Sequence, residues 1–168
     1  MPHTKSALTA VDPHLPDTLR HAFASFATGV TVITALDERG APVGMTANSF
    51  GSVSLDPPLV QWSLRVNSGL HRIFVDATHF SVSVLAAHQT HIARQFASRA
   101  PDRFVDIALT DVKGEPPLIR GALAFFVCKK ITVHRIGDHE LFVGEVLRAS
   151  AHEGTPLLFH GSKFITSR

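Results

Sequence analysis

Two apolar stretches, ALAFFVCKKITVHRI and HELFVGEVLRAS, stand on either side of Gly137 and Asp138. A glycine-aspartate pair between runs rich in β-branched and aromatic residues is a hairpin signal, because the glycine supplies the positive φ that a tight turn needs. A long antiparallel pair is therefore expected here. Phe125 and Val127 fall on one face of its first strand, Phe126 and Cys128 on the other. Neither face can stay fully in water, so one must meet a core and the other a partner.

The remaining segments fit around that hairpin. DTLRHAFASFA reads as a short amphipathic helix, with Asp17 or Thr18 as cap and Leu19, Ala22, Phe23 and Phe26 on one face. GVTVITAL, closed by DERG, begins a second hairpin, and LVQWSLR and HFSVSVLA read as further strands. SGLHRIF and HQTHIARQFA look helical, and PLLFHGSKFIT supplies closing strands. Many short antiparallel strands with few helices point to a closed or nearly closed barrel. The 168 residues fit one domain, expected over 17–168. Before it, prolines and polar residues without a period read as a loose arm over 1–16.

Composition narrows the function classes. The charged fraction is 18%, below the usual share of about 25%, beside an apolar fraction of 45%. Some apolar surface must then remain outside, which points to a homo-oligomer. A net charge of +2 with scattered basic residues gives no footprint for nucleic acid or for an anionic membrane. Cys128 is the single cysteine and cannot form an internal disulfide. Residues 1–18 lack the apolar centre of a signal peptide, and no apolar run approaches the ~18 residues of a membrane helix, so the cytoplasm is the expected compartment.

His88 and His91 share a helical face, but no third ligand stands at a persuasive spacing, so no metal is expected. G-x-S-x-G, G-x-G-x-x-G and the P-loop pattern are all absent. The run from Gly44 to Val60 is more telling, since Thr46, Asn48, Ser49, Ser52 and Ser63 interrupt strand-like sequence. Such residues weaken a strand unless something accepts their hydrogen bonds. They suit either turns before Pro57-Pro58 or a flat polar ligand that needs small hydroxyls and close backbone amides. On composition alone the turn reading stands first. His139, at the tight end of the long hairpin, can project into a cleft or simply face water, and His160 invites the same two readings.

Taken in chain order, FATGVTVITA, PVGMTANSFGSVSLDPPLV, RQFASRAPDRF, GDHELFVGEV and PLLFHGSKF resemble the flavin reductase family. These are the FMN-binding split-barrel proteins that supply reduced flavin to two-component flavin-dependent monooxygenases. The resemblance runs from about Leu19 to Phe164. It implies a mainly β fold: an antiparallel Greek-key split barrel with a few short helices. It also implies an NAD(P)H:flavin oxidoreductase acting as a homodimer, with FMN or FAD in a groove near the subunit interface. NADH or NADPH would be the co-substrate, and a monooxygenase the partner.

By position, the resemblance assigns Gly44, Met45, Thr46, Asn48 and Ser49 to the flavin ring and ribityl chain, with Ser63, Leu64 and Arg65 from the next strand. Ser68 and Gly69, opening the following helix, fall near the phosphate, where a helix N-terminus offers free N–H groups. Gln95 and Phe96 would close the site. His139, Phe159, His160 and Gly161 fall to the nicotinamide. The implied chemistry is hydride transfer from nicotinamide C4 to flavin N5, with His139 orienting the ring or managing protons. Two positions depart from the family pattern: Ser83 stands where Asn is common, and Phe164 where Tyr is frequent. They leave FMN or FAD open, while the lack of an arginine cluster for a 2′-phosphate leans toward NADH. Two readings compete: a flavin-binding module without turnover, and a split barrel whose fixed flavin serves its own small substrate.

Overall fold

A computed structural model describes residues 8–110 and 114–166. In chain order the elements are α1 (Pro16–Phe23), β1 (Thr28–Gly29), β2 (Thr31–Leu36), β3 (Pro42–Ala47), β4 (Gly51–Leu55), β5 (Pro58–Arg65) and α2 (His71–Asp76). There follow β6 (His79–Val84), a 3₁₀ turn (Ala87–Gln89), α3 (Thr90–Ala97), β7 (Leu109–Thr110), β8 (Leu118–Ile119), β9 (Ala124–Ile136), β10 (His139–Ala151), β11 (Leu157–His160) and β12 (Lys163–Thr166). The described strands form an antiparallel split barrel, as the family resemblance implies.

The main sheet has seven strands in the order β3-β2-β6-β9-β10-β5-β4. Its two edge strands, β3 and β4, are joined by only Asn48, Ser49 and Phe50. Six strand spacings would put the edges of a flat sheet roughly 29 Å apart, while the four Cα steps from Ala47 to Gly51 reach about 14 Å at most. The sheet must therefore curl until its edges meet. Within that connection Ser49 extends the β4–β5 ladder: its Oγ accepts the Ser63 N–H at 3.0 Å and donates to the Ser63 carbonyl at 3.3 Å.

Closure creates an interior filled by Ile33, Val60, Trp62, Leu64, Phe80, Val82, Cys128 and Phe142, with Phe74 of α2 plugging one end. A second apolar layer lies outside, where Val30, Val32, Ile92, Ala93, Phe96 and Leu157 pack α3 and the small sheet β1-β11-β12 on the barrel. This explains why GVTVITAL shows no alternation: β2 is buried on both faces. Polar side chains on the outward faces of β2 and β6 hold the 116–119 segment. Thr34 Oγ1 donates to the Pro117 carbonyl at 2.6 Å, Ser81 Oγ to that of Pro116 at 3.0 Å, and Ser83 Oγ accepts the Ile119 N–H at 3.0 Å. Ser83, one of the two departures from the family pattern, is thus a buried fastening between strands.

The long hairpin forms as expected, with His139 opposite Ile136 and Gly137 at a φ of 59°. Where β10 slips register after Val143, Gly144 allows close approach: a Cβ there would lie 2.5 Å from Phe80 Cζ and 3.2 Å from Cys128 Cβ. Because Phe80 is buried and cannot retreat, Gly144→Ala is expected to cost about 1–3 kcal/mol through overpacking. Thermal unfolding checks this, and an unchanged midpoint would show that the barrel yields there. Burial also pushes the Cys128 thiol up to about 12, so it stays protonated and unreactive.

The start of the domain differs from expectation. Neither Asp17 nor Thr18 caps α1; Leu15 is the N-cap and Pro16 the first helical residue, where a missing N–H costs nothing. Asp12 instead shapes the preceding turn, accepting the His14 N–H at 2.8 Å, while Thr18 Oγ1 donates to the Asp12 and Leu15 carbonyls. No residue of α1 is buried, and Phe23 and Phe26 remain 68% and 77% exposed. Residues 1–7 of the expected arm lie outside the described residues.

Candidate active site

At the barrel seam, the end of β3, the end of β5, the loop after β5 and the tip of the β9–β10 hairpin surround a cavity of about 310 Å³. It is lined by Met45, Thr46, Ala47, Asn48, Ser49, Ser63, Leu64, Arg65, Asn67, Ser68 and His139. Strand register explains the convergence: β10 pairs with β5 so that His139 lies opposite Arg65 and Leu141 opposite Ser63, on one face. Ala47 and Asn67 are the two lining residues that sequence reasoning missed. Asn67 carried a signal, a turn former between Arg65 and Ser68; Ala47 has no polar handle to notice.

Hydrogen-bond accounting shows what these hydroxyls already do. Thr46 Oγ1 donates to the Ala93 carbonyl at 2.6 Å, fastening β3 to α3. Ser49 is committed to Ser63 as described above. Both oxygens keep acceptor lone pairs, but their protons are used. The turn reading was therefore half right: the hydroxyls do serve the backbone, at the β4–β5 ladder and at α3 rather than at Pro57-Pro58.

His139 is half-exposed, and its Nδ1 lies 2.7 Å from Asp138 Oδ1. With Nδ1–H donating to the carboxylate, Nε2 is the free nitrogen, an acceptor when the ring is neutral and a donor when it is charged. The same hydrogen bond holds the Asp138 carboxyl below its usual range, with the nearby His139 and Arg65 charges adding to it.

The other expected residues sit elsewhere. Gly44 is buried and faces α3: a Cβ would meet Phe96 Cε1 at 2.7 Å and Phe104 Cζ at 3.2 Å. Phe96 is itself a core residue and lines no part of the cavity. Gln95 does not close the site either; its Nε2 donates to the Arg103 and Val105 carbonyls at 3.0 and 2.8 Å, fixing the loop after α3. Arg103 in turn donates to the Gly44 carbonyl at 2.8 Å. RQFASRAPDRF is thus a brace behind β3. Gly69 does not reach the cavity, and Ser68 stands in a turn ahead of α2, which begins only at His71 and spans six residues.

Phe159 lines an adjoining cavity of about 520 Å³ together with Arg20, Phe23, Ala24, Phe26, Thr28, Ser162 and Asn48, the last shared with the first cavity. Thr28 Oγ1 is buried there without a hydrogen-bond partner. His160 and Gly161 line neither cavity; they lie at the β11–β12 turn, whose Gly161 N–H is taken by the Ala24 carbonyl at 2.8 Å. A further hollow, about 550 Å³, lies between the β2–β3 turn and α2, lined by Asp37, Arg39, Arg72 and Asp76 among others. Two of its charged residues pair with each other, Arg72 Nε lying 3.3 Å from Asp76 Oδ2. His88 and His91 are both exposed, and no cluster of metal-ligating side chains occurs among the described residues.

A seam cavity with small hydroxyls, an Asp-tethered histidine and a split barrel around it belongs to a defined class of protein. Residues 23–167 match the flavin reductase like domain, and the chain belongs to that family. It is 47% identical over 145 residues to the FMN reductase (NADH) SmoA of Agrobacterium fabrum, covering 86% of this chain and 82% of that one. It is 43% identical over 128 residues to the reductase component of a flavin-dependent trigonelline monooxygenase from Acinetobacter baylyi, covering 76% of this chain but 41% of that longer one. The structure of the NADH:FAD oxidoreductase of Streptomyces globisporus, in complex with NAD and FAD fragments, superposes with a TM-score of 0.88 at 39% identity, covering 94% and 96% of the two chains.

The cavity residues fit a flavin. Ala47, Ser49 and Ser63 leave the floor open, while Asn48, Arg65, Asn67 and Ser68 supply donors and acceptors at the rim. Its volume is near the lower end of the ~300–1,000 Å³ typical of ligand sites, enough for a ring system and part of a chain.

Proposed function

We propose that this chain is an NADH-dependent flavin reductase that reduces FMN or FAD and releases it to a separate monooxygenase. The observation that carries this reading is the meeting of His139 with the small polar residues of the β3 and β5 ends in one cavity. The names of SmoA and of the Streptomyces globisporus enzyme, both NADH-linked, support the choice of co-substrate. The trigonelline reductase component supports the kind of partner.

When bound, the flavin supplies the two-electron acceptor and the nicotinamide supplies the hydride. The protein's share is positioning. Met45 and Leu64 give the ring apolar contact; Thr46 and Ser49, with protons already engaged, present acceptor lone pairs; Asn48 and Asn67 can both donate and accept. Arg65 and Ser68 meet the phosphate, through side-chain charge and hydroxyl rather than through the short α2. His139, its Nδ1 tethered, turns Nε2 toward the nicotinamide, and Phe159 borders that side from the adjoining cavity. Gly44, Gln95 and Phe96 act behind the site, fixing β3 and the 98–107 loop.

The same reading makes the protein a homodimer, since Phe23, Phe26 and Ile136 are more than half exposed beside the two cavities. It also places the enzyme in the cytoplasm, where nicotinamide co-substrate is available; no described helix is long and apolar enough to cross a membrane.

Steady-state oxidation of NADH and NADPH with FMN, FAD and riboflavin tests the reading. Catalysed NADH oxidation that depends on added flavin is expected. Flavin retained through gel filtration with no turnover would instead identify a binding module.

A further inference from the structure

Among the described residues, four buried side-chain polar atoms lack a well-formed hydrogen bond, and two of them face each other: His71 Nε2 and Glu140 Oε2, 2.9 Å apart. The separation is within ion-pair reach but the angle is poor for a hydrogen bond, and the contact joins opposite charges only while His71 is protonated. Both side chains are largely shielded, at 26% and 16% exposure. A carboxylate so placed is costly unless a cation stands beside it.

The pair's position gives it a role. Glu140 follows His139 on β10 and points to the opposite face, opposite Leu64 and toward the barrel interior. It touches no part of the cavity. His71 opens α2, directly after the 66–70 loop that carries Asn67 and Ser68. The other end of that loop is also fixed to the hairpin tip, since the Val66 N–H donates to the Asp138 carbonyl at 3.1 Å. The loop is therefore gripped by the two residues that flank His139. Within it the Ser68 N–H donates to the Arg65 carbonyl and the His71 N–H to that of Ser68, both at 3.0 Å, so little slack remains. The helix behind it is held too: Lys130 Nζ donates to the carbonyls of Phe74 and Val75 at its C-terminal end.

We propose that His71 and Glu140 are a positioning pair that couples the phosphate-side loop to His139, so that order imposed at one subsite is transmitted to the other. The proposal rests on the placement of the flavin phosphate near Ser68 and the nicotinamide near His139. Coupling between sites is reciprocal, which fixes what each variant must do.

The test has a flavin-free arm and a loaded arm. In flavin-free protein, amide hydrogen exchange is measured for wild type, Glu140→Gln and His71→Gln. Glu140→Gln is expected to speed exchange in the 66–70 loop, and His71→Gln at 137–139, each across the contact from its own site. Effects confined to the substituted element overturn the proposal. In the loaded arm, the ratio of NAD⁺ affinity in the presence of saturating FMN to that with saturating riboflavin, which lacks the phosphate, is expected to be about fivefold or more in wild type and to fall toward one in both variants and in the double variant. A ratio that survives the substitutions overturns it. Should a variant fail to fold, wild type alone decides: FMN but not riboflavin must raise NAD⁺ affinity in equilibrium dialysis. A wild type that reduces no flavin refutes the proposed function instead, and the exchange arm still judges the coupling.

Discussion

Trp62→Ala is expected to remove about 3–5 kcal/mol of stability, lowering Tm by roughly 6–20 °C in a chain of this size. Trp62 is fully buried on β5, stacked on Phe142 with ring centroids 4.3 Å apart and planes 9° apart. Phe74 and Phe80 meet it edge-on at 4.9 and 5.7 Å. Removing the indole leaves a cavity shared by three aromatic rings on three other elements, none of which can move alone. Its Nε1 is buried with no partner, so Trp62→Phe discards an unsatisfied donor along with some packing and is expected to cost much less than alanine. Urea unfolding followed by circular dichroism, on flavin-free protein, separates the two. An alanine variant within about 1 kcal/mol of wild type would mean that the barrel interior is not the principal core. Because Ser63 and Gln61 flank this residue, loss of the stack also loosens the strand that lines the cavity.

What was legible in the sequence follows from the range of the interactions involved. Gly137-Asp138 announced the long hairpin because turn chemistry is local, and the fold class followed from repeated strand signals. The β3–β4 connection illustrates the opposite case. Its Asn and Ser residues looked like turn formers, yet what Ser49 satisfies is the backbone of Ser63, fourteen positions away, in register with the β4–β5 ladder. Gln95 and Phe96, assigned to the site by resemblance, line no part of the cavity and brace the loop and core behind β3, a placement that depends on how α3 packs rather than on its local sequence. The cavity's polar lining, Asn67 apart, had been named through family likeness. The His71–Glu140 contact was not, since it joins a helix start to a strand whose distance in sequence conceals their meeting.

His139→Ala is expected to lower kcat for NADH-driven flavin reduction by about tenfold to a hundredfold, the scale on which a misoriented reactant slows a reaction. FMN affinity, measured by fluorescence quenching, should change by less than the turnover, because the rest of the cavity wall is untouched. Asp138→Asn provides the sharper contrast. The ring remains, but its Nδ1 partner no longer carries charge, so kcat should fall by a smaller factor than in His139→Ala. The sign of the pH dependence follows from the depressed carboxyl. The Asp138–His139 contact favours ionised Asp138, so its contribution is present above the ordinary carboxylate range and is lost only as pH falls through the lowered folded value. Wild type should therefore keep its tethered imidazole across the ordinary carboxylate range, with no activity limb there from Asp138. Equal losses of kcat and FMN affinity in His139→Ala would reassign the histidine to flavin binding. Unchanged kinetics would remove it from the site altogether, leaving Phe159 and the adjoining cavity to receive the nicotinamide unaided.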